Sequence, residues 1–168
     1  MRWGLVPGYT AGKPPDYWKM FNARSETLAA SPVFSKLLRD RRCAVPFDGF
    51  FEWVDDECKT VKSKQPYYVK HTNGQALWMA GLYESCALPT SVLDSQQSVV
   101  KAEAEKRTDA TAETFTIVTR DVDPQLSWLH DRMPVILDKE GVQAWLDPSS
   151  TRPLEALSHR LSTDELCW

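Results

Sequence analysis

Apolar residues recur along this chain in short alternating runs rich in aromatic and β-branched side chains, not in long helical stripes. Cys43–Phe47, Phe50–Val54, Pro66–His71, Leu77–Tyr83 and Thr114–Thr119 read as strands, and Met1–Tyr9 as a strand running into a Pro-Gly turn. Residues 10–19 are Gly- and Pro-rich and read as loop. Asp48-Gly49 and Asn73-Gly74 are hairpin signals between successive runs. Consecutive hairpins imply antiparallel pairing and exclude a doubly wound parallel sheet.

Helical signals are brief. Ser31 is placed to cap a helix over Val33–Leu38, with Pro32 at its first position. Asp123-Pro124 opens a helical turn that delivers His130, and a strand over Met133–Leu137 follows. Asp138 caps a helix over Lys139–Leu146, and a further helix spans Leu154–Leu161. Residues 87–113 lack Gly and aromatics and are rich in Ser, Thr, Gln, Ala, Lys and Glu, the composition of a surface insertion. The pattern predicts one α+β domain over residues 1–168, with curved antiparallel sheets forming a barrel-like core edged by short helices.

Composition narrows the function classes. The 168 residues are 42% apolar with seven Trp, a globular balance with enough mass for a core. No run of about 18 apolar residues exists, so no membrane partner is expected. Met1–Leu5 lacks the layout of a secretory signal. Cys43, Cys58, Cys86 and Cys167 fit neither a metal pair nor a disulfide scaffold, and three scattered histidines give no zinc pattern. No metal or cofactor is expected. The net charge of −3 argues weakly against a polyanion, but residues 1–42 hold eight Lys/Arg against three Asp/Glu, a local +5 that leaves −8 on the rest. A basic lobe on an acidic chain can still guide DNA.

Three polar clusters interrupt apolar surroundings. In Phe21-Asn22-Ala23-Arg24-Ser25-Glu26, extended backbone puts Asn22 and Arg24 on one face, an amide beside a phosphate-shaped fork. In Asp48-Gly49-Phe50-Phe51-Glu52-Trp53, Glu52 sits among three aromatics, whose burial favours a protonated carboxyl suited to proton transfer. In Leu129-His130-Asp131-Arg132-Met133-Pro134, a histidine lies between a turn and an apolar strand. Taken alone, each cluster reads equally as a loop asparagine, an outward strand glutamate or a capping histidine. The residues by themselves stop at an α+β domain with a Glu/His acid–base pair near an arginine clamp.

Together with Met1-Arg2-Trp3-Gly4-Leu5-Val6-Pro7, Arg41-Arg42-Cys43, Gln65-Pro66-Tyr67-Tyr68, Met79-Ala80-Gly81-Leu82 and Thr116-Ile117-Val118-Thr119, these segments resemble, in order, the SOS-response-associated peptidase (SRAP) family of abasic-site-processing proteins. The resemblance covers nearly the whole chain apart from residues 87–113. It implies an enzyme that binds single-stranded DNA and crosslinks to abasic sites. In that scheme an N-terminal Cys forms a Schiff base with the ring-opened sugar and closes a thiazolidine. By position it implies catalytic roles for Asn22, which orients the nucleophile, Glu52, which moves protons, and His130, which assists at the sugar hydroxyl. It implies DNA contacts for Tyr9, Arg24, Trp53, Thr119 and Arg132.

The resemblance also implies abasic single-stranded DNA and replication-fork proteins as partners, in the nucleus of a eukaryote and otherwise in the cytoplasm. The family's Cys-Gly-Arg start and its closing segment are not matched here, so the crosslinking cysteine is expected to be absent and this stretch inactive in crosslinking. Tyr9 stands where the family commonly has Trp, and it offers less stacking area. Two other readings remain: a non-covalent single-stranded DNA-binding module, and a self-processing peptidase, for which no Ser/His/Asp or Cys/His pairing is evident.

Overall fold

The computed structural model describes residues 1–10, 16–55, 64–87 and 111–168. Its architecture is mixed, with few helices, a curled six-stranded sheet that forms a half-barrel, and a second three-stranded antiparallel sheet. The strands are β1 (Arg2–Trp3), β2 (Asn22–Arg24), β3 (Arg42–Phe47), β4 (Gly49–Asp55), β5 (Lys64–His71), β6 (Leu77–Ala87), β7 (Thr111–Asp121), β8 (Arg132–Pro134) and β9 (Leu166–Cys167). Among the described residues, two α-helices, α1 (Phe34–Leu37) and α2 (Lys139–Leu146), and several 3-10 turns surround them.

The half-barrel is built on β7. One of its edges pairs antiparallel with β6, and two short strands, β1 and β2, pair with it in parallel. Past Ile117, β8 takes over as its antiparallel partner, and the chain after β8 bridges back to β6 at Met79–Ile136. A strand wedged where two others diverge forces the sheet to curl. The far edge of β6 carries β3, antiparallel from Arg42–Leu82 to Phe47–Leu77. The second sheet runs β4-β5-β9.

The strand runs are thus where the alternation places them, but their pairing differs from the turn signals. Asp48-Gly49 does not close a hairpin: β3 belongs to the half-barrel and β4 to the small sheet. Asn73-Gly74, with Gly74 at φ +77°, likewise carries the chain from β5 in one sheet to β6 in the other. Turn chemistry selects a sharp reversal and not the strand that follows as a partner. At Gly49 the backbone lies against the next strand, and a Cβ there would stand 2.6 Å from both the Val69 carbonyl oxygen and the Tyr68 ring.

Other boundaries move for local reasons. Gly4, at φ +105° and pressed against the Tyr17 carbonyl, ends the first strand at Trp3, and Gly8–Thr10 is a 3-10 turn. Tyr17–Met20, expected as loop, is a 3-10 turn capped by Asp16. Ser31 Oγ accepts from Phe34 N at 3.4 Å, but α1 begins only at Phe34, with Val33 at its N-cap, so Pro32 lies outside the helix. Asp138 Oδ1 accepts from Gly141 N at 2.7 Å and starts α2. The helix expected over Leu154–Leu161 is a 3-10 stretch, Pro153–Ser158. Of the expected insertion, residue 87 closes β6 and residues 111–113 open β7, while 88–110 lie outside the described residues.

Two apolar clusters hold the layers. Leu5, Ala23, Ala80, Leu82, Val118 and Val135 of the half-barrel pack on Leu37, Leu38, Trp145 and Ala156 of the helical side. Val69, Leu77, Leu126, Leu129, Met133, Ile136 and Leu166 join the small sheet to the half-barrel. Arg42 is buried with them, 8% exposed, and its guanidinium donates to the carbonyls of Leu38 and Arg39 just past α1 and of Trp145 and Asp147 at the end of α2. One cation thus caps two helix ends, so part of the basic N-terminal lobe is structural.

Candidate functional site

Where β4 faces β7 and β8, the two sheets leave a cavity of about 400 Å³. Asn22, Glu52, Thr119, His130 and Arg132 all line it, together with the aromatic walls Trp3, Phe50, Phe51 and Phe115. Tyr9, Arg24 and Trp53 are not among its lining residues. Tyr9 and Trp53 are at the surface, 74% and 52% exposed, and Arg24 is exposed on β2 with no ion pair among the described residues.

Strand alternation explains each placement. In β2, Ala23 is buried against the core, which turns Asn22 and Arg24 to the opposite face. In β4 the usual polarity is reversed: Phe51 and Trp53 are the exposed residues, while Glu52 shares the more covered face with Phe50 and Val54. Glu52 is half-buried at the cavity wall, and not sealed within a nest of aromatics. In β7, Phe115, Ile117 and Thr119 fall on the cavity face in steps of two.

Packing brings His130 to the cavity that Glu52 also lines. Glu52 is the cross-strand partner of Tyr67, whose ring meets Trp128 edge-on at 4.9 Å. Leu126 and Leu129 are buried anchors of the same turn, so its next residue is fixed beside the small sheet. His130 Nδ1 lies 2.9 Å from the Arg132 backbone nitrogen and 2.8 Å from Asp131 Oδ1, and these two neighbours hold the ring in place.

Arg132 is tightly held. Its two terminal nitrogens donate to the two Glu26 oxygens at 3.0 Å each, and Nη1 also donates to Asp121. Arg132 Nη2 lies 3.5 Å from Thr119 Oγ1. The guanidinium lowers the Glu26 carboxyl from its ordinary 4.5 to about 2. Arg120 does the same for Asp123, to about 2, with help from the Thr163 hydroxyl and Arg160. The first pair ties β8 to the 3-10 turn after β2, and the second ties the end of β7 to the segment that follows it. Because the folded-state values are depressed, their stabilisation is full above the ordinary carboxyl range and is lost as pH falls from 4.5 toward 2. Melts from pH 5 downward are expected to show this loss, shrinking in Glu26→Gln and in Asp123→Asn. An unchanged pH profile in both variants would count against these pairs.

Two described thiols are poor nucleophiles. Burial pushes Cys43 up to about 11, and burial and then Glu84 raise Cys86. Cys58 lies outside the described residues.

Sequence reasoning missed Trp3, Phe115, Glu26 and Asp121 as parts of the site. Phe115 had a signal, since stepping back by twos from Thr119 along β7 gives Ile117 and Phe115; Trp3 had none, because its pairing with Phe115 is long-range. The carboxylate partners had none, because Glu26 and Arg132 are 106 positions apart.

Comparison with known proteins decides the family. A profile described as SOS response associated peptidase (SRAP) matches residues 1–168. The chain belongs to the SRAP family. Among SRAP relatives, it is 34% identical over 168 residues to the abasic site processing protein YoqW of Bacillus subtilis, covering 99% of this chain and 65% of that one. It is 31% identical over 178 residues to the abasic site processing protein HMCES of Xenopus tropicalis, covering 94% of this chain and 47% of that one. A crystal structure of a protein from Bacteroides thetaiotaomicron superposes with a TM-score of 0.75 at 28% identity, covering 98% of this chain and 65% of the other. The chain thus spans less than two thirds of the length of these relatives. No helix among its described residues is long and apolar enough to cross a membrane.

Proposed function

We propose that this chain carries the sugar pocket and strand-binding surface of an abasic-site-processing protein acting on single-stranded DNA. The observation that supports it is the gathering of Asn22, Glu52, Thr119, His130 and Arg132 around one cavity of about 400 Å³. That volume is within the range of small-ligand sites and is large enough for a sugar without a base. In this reading Glu52 gives and takes the proton as the sugar ring opens, His130 meets the freed hydroxyl, and Asn22 orients the attacking amine. Arg24 and Arg132 contact phosphates, Thr119 contacts the strand, and Tyr9 and Trp53 offer faces for flanking bases. The covalent step draws on an N-terminal cysteine, which supplies both amine and thiol. Burial makes Cys43 and Cys86 poor attachment points for that step.

The test compares three labelled oligonucleotides of one sequence: a single strand with one abasic site, the intact single strand, and the duplex. The abasic single strand is expected to bind tightest, and no adduct should survive denaturation with Cys43 or Cys86 as its attachment point. Equal affinity for all three would overturn the abasic-pocket reading, and an adduct mapped to either buried thiol would overturn the assignment of chemistry.

A further inference from the structure

We infer that Asp121 is an internal competitor for the phosphate site at Arg132, displaced when a DNA phosphate arrives, while Glu26 stays and holds the arginine in place. The inference rests on the reading of Arg132 as a phosphate contact and adds a control on it.

A guanidinium has five N–H donors. Glu26 takes one from each terminal nitrogen in a parallel pair at 3.0 Å, Asp121 takes another from Nη1, and Thr119 Oγ1 stands 3.5 Å from Nη2. The remaining donor, on Nε, is buried and has no partner among the described residues. Every outward donor thus already faces an acceptor, and a phosphate oxygen gains one only by displacing an acceptor already there.

The two carboxylates are not equally replaceable. Glu26 binds with both oxygens, a geometry that fixes the plane of the guanidinium, and its side chain is 45% exposed. Asp121 binds through one oxygen from the last residue of β7, and its side chain is 85% exposed. A well-hydrated carboxylate making one bond loses little by turning to water, so it is the one that yields. The exchange is also neutral in count: one anion leaves the guanidinium and one arrives. The displaced Asp121 remains nearby and repels the phosphate, which weakens binding to any strand.

Both Asp121→Asn and Glu26→Gln remove one negative charge, so a general field effect moves their affinities the same way. The proposal requires opposite signs. The probe is a fluorescein-labelled single strand with one tetrahydrofuran abasic analogue, which binds but cannot crosslink, followed by anisotropy at low salt. Asp121→Asn is expected to tighten binding about threefold, the factor for removing a unit charge about 6 Å away in water. Asp121→Ser should do the same without an amide to substitute for the carboxylate. Glu26→Gln is expected to weaken binding severalfold, because a single amide oxygen no longer fixes the guanidinium plane. If Arg132→Gln leaves affinity unchanged, the phosphate reading itself fails. If Arg132→Gln weakens binding but neither Asp121 variant tightens it, competition by Asp121 is wrong. Equal tightening by the Asp121 and Glu26 variants would reduce both to a field effect and overturn the division of roles.

Discussion

Glu52→Gln is expected to slow crosslinking to an abasic strand by about 10²–10⁴-fold in protein that carries an N-terminal cysteine, the range for loss of a positioned proton-transfer group. The amide keeps the shape and polarity of the carboxyl but cannot exchange a proton. Binding of the tetrahydrofuran analogue should therefore change little, and the loss should fall on the rate. His130→Ala is expected to produce a smaller loss, because neutral polar contacts at the sugar hydroxyl are more easily replaced by water. The double variant should fall short of the product of the two effects, since both groups line one cavity and serve one sugar. Single-turnover rates followed on denaturing gels give the answer. A double variant that crosslinks at the parent rate would remove both residues from the chemistry.

Arg42→Met is expected to destabilise the fold by about 3–5 kcal/mol, the cost typical of breaking a buried polar network. Methionine fills much of the same volume but leaves four carbonyls, those of Leu38, Arg39, Trp145 and Asp147, without their donor. Arg42→Lys should fall between, because a point ammonium cannot fork to both helix ends. Urea unfolding gives the size, and a loss below about 1 kcal/mol would mean that water caps those carbonyls as well as the arginine does.

Local signals were legible where local chemistry decides. The cap at Asp138 and the five alternating strand runs appear where their residues place them, because side-chain period and cap bonds act within a few positions. Pairing was not legible. Asp48-Gly49 and Asn73-Gly74 carry strong turn chemistry, yet both pass the chain between sheets, since partner choice is set by which apolar faces must meet. The parallel seating of β1 and β2 on β7 had no sequence mark at all. In the candidate site, Asn22, Glu52 and His130 stood out as polar residues amid apolar ones, and they line one cavity. The state of Arg132 was hidden, because a motif names the arginine and not the carboxylates that the fold brings to it.

The central position of β7 fixes when this protein can finish folding. Val6, next to the first strand, donates its backbone N–H to Thr114, which is 108 positions later. At common translation speeds that interval is roughly 5–20 s, during which Arg2–Trp3 and Asn22–Arg24 have left the ribosome without the strand they join. Long-range pairing of this kind is slow even in a released chain. Arg2–Trp3 and Asn22–Arg24 are therefore among the last of the described strands to be seated, since the strand they join runs to residue 121.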